Sequence, residues 1–534
     1  MRRWNGWGDE AENSEVGAPA RRFLEARLGP STGPRDATLP EVVAHVPRSR
    51  LDPVDGLLVT DPERRVRFAR GQSFPDLVAL RSGRLEAVPD AVARPTSNED
   101  VRRLIDHARA TGARLIPYGG GTSVVGGVTA RPSPDPLITV DLGGLAAVKD
   151  LDERSGLVTV GAGITGPALA ARLADSGLTV GHEPQSFELA TVGGWVAARG
   201  SGLRSYGHGR IEQLYAGGAL EAPAGTLDMP PFPASAAGPD LRQLVLGSEG
   251  RLGFLTDAIL RTSPLPEVDR LHAWALPGWQ AGLEAVRALA QARPRLSVLR
   301  LSTPRERQTL LGFADKPDQV RLLGAYLRAR RVPDDWSLLL VGVAGRRRAA
   351  RAARLEVRSI LRPFAAVPVP ALAHTWSRTR FRSPYLRTSL WELGYASDTL
   401  ETATTWANVP RLLARLQVAV SGALAAEGET VHVFTHLSHL YPSGSSLYLT
   451  YLFRLAPDPD ETLERWTAIK LAASATIAAE GGTITHHHGV GTDHAPYLAA
   501  EKGPLGMAAL EAVVRTFDPD GLMNPGVLLG DRHG

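Results

Sequence analysis

The stretch "PYGGGTS", Pro117 to Ser123, decides the fold that we predict for this chain. It follows "RLI", an apolar run typical of a short buried strand. Three consecutive glycines can adopt positive φ angles because they carry no Cβ atom. Successive backbone N–H groups can then converge on an anion, and the hydroxyl groups of Thr122 and Ser123 add two donors. The stretch therefore predicts a loop that binds the phosphate groups of a cofactor.

A second glycine motif competes for the same role. "GAGITG", Gly161 to Gly166, matches the G-x-G-x-x-G pattern, follows a predicted strand and opens a predicted helix. Glu183 lies near the position of the acid that binds a ribose in dinucleotide-binding Rossmann folds. The other interpretation is a tight strand-to-helix turn without a ligand. We favour the turn, because a bare match of this motif is weak evidence and it sits in a longer glycine-rich run.

Two further loops of small residues follow, "TVGGWVAARGSG" from Thr191 to Gly202 and "LGSEGRLGFLT" from Leu246 to Thr256. One pyrophosphate needs fewer backbone contacts than four such loops provide. The four loops together suit a long dinucleotide that lies extended across one domain.

Composition limits the class of protein. With 534 residues, 43% of them apolar and 22% charged, the chain predicts two or three globular domains. A net charge of +4 does not indicate nucleic-acid binding, and the absence of cysteine excludes disulfides, thiolate zinc sites and cysteine nucleophiles. The start, "MRRWNGWGDE", lacks the apolar stretch of a secretory signal, and "GDRHG" is not a peroxisomal address. We therefore expect a cytoplasmic protein.

The motifs together resemble a known group of flavoproteins. "PYGGGTSV", "HEPQSFELATVGGWVAARGSG", "GSEGRLGFLT", "HHHGVG" and "DPDGLMNPG" occur in the order found in FAD proteins of the vanillyl-alcohol oxidase type. Within that superfamily the sequence is most similar to the alkyldihydroxyacetonephosphate synthases, also called alkylglycerone-phosphate synthases. "WNGWG", "TVGGWV" and the triple histidine are the specific points of likeness.

The resemblance implies an α+β fold with two main parts. An FAD-binding domain with two subdomains would cover residues 86–265, and an α/β cap domain with an antiparallel sheet would cover residues 266–475. An irregular segment, residues 1–85, would drape over a domain. Residues 476–534 would return to the FAD site.

The resemblance also implies which residues contact FAD. No cysteine, and no histidine placed to suggest attachment, occurs in these loops, so we expect non-covalent FAD. The predicted contacts fall in four segments: Pro117, Tyr118, Gly119, Gly120, Gly121, Thr122 and Ser123; Gln185, Ser186, Phe187, Glu188, Leu189, Ala190 and Thr191; Ala198, Arg199, Gly200 and Ser201; and Glu249, Gly250, Arg251, Leu252, Gly253, Phe254 and Leu255.

The implied reaction exchanges the acyl chain of acyl-dihydroxyacetone phosphate for a fatty alcohol, with no net redox change. Tyr448 matches the family tyrosine that removes a proton beside the substrate carbonyl. A phenol is a poor base at neutral pH, so cationic neighbours would have to lower its pKa. The alternative is a plain sheet aromatic like Tyr451. Arg300 and Arg387 match family arginines, and a guanidinium suits the substrate phosphate.

The histidine run, His486, His487 and His488, admits three interpretations. On a regular strand His486 and His488 would face one way and His487 the other, so one metal could not bind all three. The carboxylates of related metal-dependent hydroxyacid oxidases are missing from the matching segments. Although His436 and His439 could join a site, we expect no metal. We instead predict proton handling or stabilisation of phosphate or enolate charge, with loop histidines of no role as the alternative.

One departure and two alternatives remain. Gln185 replaces an acid found in the synthases, which keeps hydrogen bonding but removes a charge. The chain could instead be an FAD-dependent 2-hydroxy acid dehydrogenase or oxidase. It could also be a flavin-fold protein that has lost catalysis and only binds a ligand. The synthase reading implies small-molecule lipid substrates and no nucleic acid, and it allows a peripheral membrane contact and a homodimer.

Overall fold

The computed structural model describes residues 2–12 and 15–530. The N-terminal segment is more regular than we predicted. It contains helices α1 (Ala18–Leu28), α2 (Leu39–Ala44), α3 (Pro62–Arg67) and α4 (Phe74–Ser82). Each has a proline at the first or second helical position, where the missing N–H costs nothing. The expectation that residues 1–85 are irregular is therefore wrong for these four helices.

A small sheet carries the first glycine loop. Its strands are β1 (Leu58–Val59), β2 (Ala91–Ala93), β3 (Arg114–Tyr118) and β4 (Leu137–Asp141), in the order β1-β2-β4-β3, and β4 is parallel to both β2 and β3. Helix α5 (Asn98–Thr111) precedes β3 and ends at Gly112, which has a left-handed backbone conformation. Its N-cap is Ser97, whose side chain accepts from the N–H of Asp100.

A five-stranded antiparallel sheet forms the second subdomain. Its strands are β5 (Val148–Asp152), β6 (Leu157–Gly161), β8 (Tyr215–Ala222), β9 (Gly225–Met229) and β10 (Phe254–Arg261), in the order β5-β6-β10-β8-β9. Strands β7 (Leu178–Thr179) and β11 (Ser263–Pro264) pair separately. The helices are α6 (Gly166–Ala174), α7 (Val192–Ala197), α8 (Ser205–His208), α9 (Ile211–Leu214) and α10 (Arg242–Val245).

This sheet decides between the two interpretations of "GAGITG". Strand β6 pairs antiparallel with both β5 and β10, whereas a Rossmann motif needs parallel neighbours. A Cβ on Gly163 would lie 1.8 Å from the carbonyl oxygen of Leu142. The glycines therefore serve close packing in a strand-to-helix turn, as we favoured.

The cap is built on a seven-stranded antiparallel sheet. Its strands are β12 (Val268–Leu276), β13 (Val298–Ser302), β14 (Ser337–Gly345), β15 (Val367–Pro368), β16 (Tyr395–Thr405), β17 (His432–Tyr441) and β18 (Gly444–Arg454), in the order β15-β12-β14-β13-β17-β18-β16. Its helices are α11 (Gly278–Ala292), α12 (Pro304–Gly312), α13 (Pro317–Ala329), α14 (Arg347–Leu361), α15 (Pro370–Thr379), α16 (Ser383–Glu392) and α17 (Val409–Gly422).

Helices α18 (Pro459–Ala479) and α19 (Ala495–Phe517) flank the histidine run, and α19 is interrupted at Gly503. After α19 the chain runs beside β3, where the N–H of Leu115 donates to Leu522 and that of Asn524 donates to Leu115. The last segment thereby extends the small sheet. None of the described helices is long and apolar enough to span a lipid bilayer.

Candidate functional site

A cavity of about 1490 Å³ lies between the FAD-binding half and the cap sheet. The glycine loop after β3 and the loop at residues 182–186 line one end. Side chains of β17, β18 and the histidine run form the middle. Helices α12, α13, α15 and α16 enclose the far end. Ligand cavities commonly measure roughly 300–1,000 Å³, so this one has room for a cofactor together with a substrate.

The first glycine loop presents unpaired donors to this cavity. Among the described residues, no acceptor pairs with the backbone N–H groups of Gly120, Gly121, Thr122 or Ser123. Gly121 has a φ of +59°, and a Cβ on Gly120 would lie 2.0 Å from the carbonyl oxygen of Leu189. Glycine is therefore required to pack this loop against the next one, and the free N–H groups fit an anionic cofactor.

Not all of the predicted cofactor residues reach the cavity. Those that line it are Pro117, Gly119, Gly120, Gly121, Thr122, Ser123, Gln185, Ser186, Ala190, Thr191, Ala198, Gly200, Ser201, Glu249, Gly250, Gly253 and Leu255. Those that do not line it are Tyr118, Phe187, Glu188, Leu189, Arg199, Arg251, Leu252 and Phe254. The side chains of one motif point in different directions: Phe254 is fully buried in the core, for example, whereas Glu188 is exposed.

Two orphaned polar groups at the cavity indicate an absent partner. Both ring nitrogens of His182 and the Nε1 atom of Trp195 are buried without a hydrogen-bond partner. The two rings lie 4.8 Å apart, and both line the cavity. Buried polar atoms nearly always find a partner, so these residues fit a bound polar ligand such as a flavin. Burial lowers the pKa of His182 to about 3, which keeps its ring neutral.

Tyr448 lies in the cavity wall on β18, beside the histidines. Its ring stacks on His436 at 4.8 Å and lies 6.0 Å from the ring of His487 and 5.7 Å from that of His488. Burial raises the pKa of Tyr448 to about 12. We expected cationic neighbours to lower this pKa, and that expectation is wrong, because burial also lowers the pKa of the neighbouring His436 and His488.

A buried carboxylate, which the sequence analysis missed, organises the histidine run. Glu401 on β16 accepts hydrogen bonds from the backbone N–H groups of His486, His487 and His488, at 2.6, 3.1 and 3.0 Å. The hydroxyl of Thr485 donates to it as well, at 2.8 Å. Burial opposes ionisation of Glu401, but the histidines lower its pKa well below the ordinary value. The carboxylate therefore fixes the backbone of the run.

The three histidines point in different directions, and the run is a loop rather than a strand. His487 and His488 line the cavity, whereas His486 does not. The Nε2 atom of His486 lies 2.6 Å from both Arg210 and the hydroxyl of Tyr441. His486 therefore belongs to the wall behind the site.

Glu401 also bears on whether the histidine run binds a metal, because it supplies a carboxylate that the matching sequence segments lack. One ligand atom each from Glu401, His486 and His487 lie within 4.8 Å of one another. The oxygens of Glu401 already accept four hydrogen bonds, and His486 is engaged with Arg210. These contacts leave little capacity for metal coordination.

Arg300 and Arg387 line the cavity but already have anionic partners. Arg300 contacts Glu306 at 2.7 Å and His436 at 3.0 Å. Burial opposes ionisation of Glu306, yet Arg300 and His436 lower its pKa to about 2. Arg387 donates to Asp398 at 3.2 Å and to backbone carbonyls of Gln72 and Ser397. We expected an external phosphate to balance Arg300, and a protein carboxylate does so instead.

Glu249 joins the FAD-binding half to the histidine loop. Its carboxylate accepts from the N–H groups of Val490 and Gly491, at 2.5 and 2.7 Å. Asn524 donates to the carbonyl groups of Gly127 and Glu249. Burial raises the pKa of Glu249 to about 7. The cofactor loops and the histidine loop are thus held in one network.

At Gln185, which replaces the family acid, the side chain donates to the backbone carbonyl of Arg380 at 2.7 Å. Nearby, Glu183 pairs with Arg204 and Arg380 at 3.0 and 2.7 Å. Glu183 therefore makes ion pairs with the protein, whereas the Rossmann interpretation would have placed it on a ribose.

Comparisons with known protein families indicate the same cofactor and the same two-part organisation. The model of an FAD binding domain matches residues 89–227, and that of the C-terminal domain of FAD linked oxidases matches residues 265–528. These matches confirm the predicted flavin cofactor and the predicted two-part α+β fold.

Relatives that match this chain over nearly its whole length were also found. Alkyldihydroxyacetonephosphate synthase of Trypanosoma brucei brucei is 27% identical over 99% of this chain and 92% of its own length. The Caenorhabditis elegans protein of that name is 28% identical over 97% and 93%. A solved structure of an alkyldihydroxyacetonephosphate synthase superposes with a TM-score of 0.83, at 23% identity and 98% of both chains. The resemblance predicted from the sequence is confirmed.

Proposed function

We propose that this chain, which carries both domains of the FAD-linked oxidases, is an alkylglycerone-phosphate synthase that exchanges the acyl chain of acyl-dihydroxyacetone phosphate for a fatty alcohol. The observation that carries the proposal is one cavity in which cofactor loops, a half-buried tyrosine and two histidines meet beside an apolar arm. FAD, when bound, would supply the chemistry for the exchange at the glycerone carbon. A fatty acid is released, and no net redox change occurs.

The cofactor would be held by the residues that line the FAD end of the cavity. The free N–H groups of residues 120–123 suit the pyrophosphate. His182 and Trp195 offer the polar atoms that lack partners. Loops at residues 198–201 and 249–255 complete this end of the cavity.

The apolar arm suits a long alkyl or acyl chain. It lies between α12, α13 and α15, and its lining includes Leu310, Leu311, Phe313, Leu323, Leu372 and Trp376. Transfer of a lipid chain from water into this arm contributes about 0.8 kcal/mol of binding free energy per CH₂ group. Two leucines on the same helices are exposed, Leu310 at 43% and Leu322 at 72%. We propose that this surface makes the peripheral contact with a membrane from which the chain enters.

We assign proton transfer at the glycerone carbon to Tyr448, with His487 and His488 as its neighbours. With a pKa of about 12, Tyr448 carries its proton at neutral pH. It can therefore donate this proton directly. It can accept a proton only after it has lost its own. The imidazole rings of these two histidines lie beside it and can relay that proton.

The direct test is an exchange assay with acyl-dihydroxyacetone phosphate labelled in its acyl chain. We expect release of labelled fatty acid that depends on added fatty alcohol. Mixing with 2-hydroxy acids without oxygen should leave the flavin oxidised and yellow. Rapid bleaching without any exchange would instead support the dehydrogenase, and a colourless protein that takes up no FAD would support a non-catalytic module.

We further propose that FAD is bound non-covalently. The absence of cysteine removes one means of attachment, and the buried imidazoles near the cofactor loops are candidates for the other. Denaturation followed by filtration should release all of the flavin colour. Colour retained by the protein would contradict the proposal and direct attention to His182, which lies among the cofactor loops.

A further inference from the structure

A second cavity, of about 670 Å³, lies on the far side of the histidine cluster. It is bounded by α8, by the turn after α11 and by the end of β17. Three arginines and two histidines line it, and no described aspartate or glutamate does: Arg210, Arg293, Arg295, His208 and His439. A cavity with such a one-sided lining attracts anions.

Two of these arginines are unpaired in the described chain. The side chains of Arg293 and Arg295 are exposed and make neither an ion pair nor a hydrogen bond with a described residue. The hydroxyl group of Ser297, which is 3% exposed, also lines the cavity and has no hydrogen-bond partner. Free guanidinium groups and an orphaned hydroxyl group are the donors that a phosphate oxygen accepts from.

His439 separates this cavity from the large one, and it lines both. It has a φ of +49° and lies at an irregularity in the pairing of β17 with β18, between Ser438 and Leu440. Its Nδ1 atom lies 3.1 Å from the hydroxyl of Ser201 in a cofactor loop. Its ring is 4.9 Å from that of His487. One imidazole therefore stands between the second cavity and the reaction centre.

The large cavity places the cations that are unpaired in the described chain, Lys316, Arg378 and Arg382, on the segments of α13, α15 and α16 that enclose its far end. Arg300 and Arg387 are paired with Glu306 and Asp398. An anion placed there would compete with those carboxylates. The second cavity offers cations that have no such partner.

We propose that the second cavity binds a phosphate monoester through Arg293 and Arg295, with His439 at its inner end. This proposal rests on the proposed function in one respect, because it takes the phosphate monoester to be the phosphate end of the lipid substrate. The chain of that substrate occupies the apolar arm. Paired N–H donors of the two guanidinium groups hold the phosphate oxygens. The reacting carbon then lies beside His439, at the wall that the two cavities share, with Ser201 and His487 as its neighbours.

The test compares three FAD-loaded proteins: the natural protein, a variant with Arg293→Gln and Arg295→Gln, and a control with Arg351→Gln and Arg358→Gln. The control residues are exposed on α14 and line neither cavity. Inorganic phosphate is titrated into each at fixed low ionic strength by calorimetry. The exchange assay then gives KM and kcat for acyl-dihydroxyacetone phosphate.

We expect phosphate to bind the natural and control proteins alike and to bind the cavity variant about tenfold more weakly or worse. We also expect KM to rise about tenfold in the cavity variant only, with kcat within about twofold, because uniform binding is lost. Equal phosphate binding in all three proteins overturns the proposal. Weaker phosphate binding with an unchanged KM overturns the assignment to the lipid substrate.

The two measurements distinguish a failure of the proposed function from a failure of the phosphate site. If none of the three proteins exchanges chains, the synthase activity is wrong. The calorimetric comparison still decides whether the second cavity binds phosphate.

Discussion

At the scale of single residues, the side chains of β18 alternate between its two faces, so two of its tyrosines lie in different surroundings. Tyr448 faces the cavity, whereas Tyr451, three residues along, faces the core and donates to Asp398 at 3.0 Å. Tyr451 is fully buried and Tyr448 is half-buried, and burial raises both pKa values. The two residues therefore form a matched pair in which only one can reach the substrate.

We predict that Tyr448→Phe lowers kcat for chain exchange by about 10²- to 10⁴-fold, the usual worth of a positioned acid or base. Flavin content should not change. Tyr451→Phe should keep the exchange activity and lose about 1 kcal/mol of unfolding free energy, because Asp398 loses a donor. Steady-state kinetics and urea unfolding measure the two effects, and full activity in Tyr448→Phe would remove this residue from catalysis.

The carboxylate of Glu401 makes a second prediction possible. Glu401→Gln keeps the size of the side chain but replaces one acceptor oxygen with an NH₂ group, which faces backbone donors. We expect a loss of about 2–4 kcal/mol of unfolding free energy and a fall in kcat of at least about tenfold as His487 and His488 shift. Glu480→Gln, half-buried beside the exposed Arg411, is the control; it should leave kcat unchanged and cost at most about 1 kcal/mol of unfolding free energy. Unaltered kinetics in Glu401→Gln would show that the run holds its position without the carboxylate.

The sequence could identify Tyr448 and the histidine run through their likeness to a family, but it could not find Glu401. Nothing local marks this residue, since "TLETAT" is typical of many strands. Its importance arises because β16 and β18 pair so that Glu401 lies opposite Tyr448. The partners of Arg300 and Arg387 were missed for the same reason, because tertiary pairing selects them.

At the scale of elements, the glycine loop after β3 shows how little space separates the cofactor loops. A Cβ at Gly120 would meet a backbone carbonyl, which cannot move aside as a side chain could. We predict that Gly120→Ala gives a protein with little or no bound FAD and a lower melting temperature. The ratio of flavin to protein absorbance measures the first effect.

The control for that experiment is Gly422→Ala, at the end of α17, where a Cβ would meet nothing within 4 Å. Replacing glycine by alanine in a helix usually stabilises by about 0.5–1 kcal/mol, so this variant should bind FAD normally. Normal FAD content in Gly120→Ala would mean that the two loops can separate without losing the cofactor.

Elements were predicted well where one local rule decided them. The apolar run "RLI" lies in β3, as predicted, because a short apolar run before a glycine loop favours a strand. The helices of residues 1–85 were not predicted, because a proline opens a helix as readily as it interrupts one. The direction in which a loop side chain points could not be predicted, which is why eight of the proposed cofactor contacts do not line the cavity.

At the scale of the whole molecule, buried neutral histidines should make stability depend on pH. Burial lowers the pKa of His182 and His488 to about 3, and that of His432 and His494 to about 4. The unfolded chain takes up these protons below about pH 6.5, while the folded protein does not. The stabilisation is therefore complete above pH 6.5 and is lost as the pH falls.

Two acids act in the opposite direction, because burial raises the pKa of Glu249 to about 7 and that of Asp493 to about 6. The four histidines outnumber them. We predict that the free energy of unfolding falls by about 2 kcal/mol or more from pH 6.5 to 5.5. Urea unfolding at constant ionic strength measures it, and a flat or rising value would show that the histidines are accessible to protons in the folded state.

The position of Asn524 late in the chain has a consequence for biosynthesis. Its side chain ties together the carbonyl groups of residues 127 and 249, and its neighbours complete the edge of the sheet next to β3. A ribosome makes the glycine loops roughly 270 to 400 residues before it makes this clamp. The nascent protein therefore cannot complete this clamp around the loops for its vitamin-derived cofactor until the segment that carries Asn524 has emerged from the ribosome.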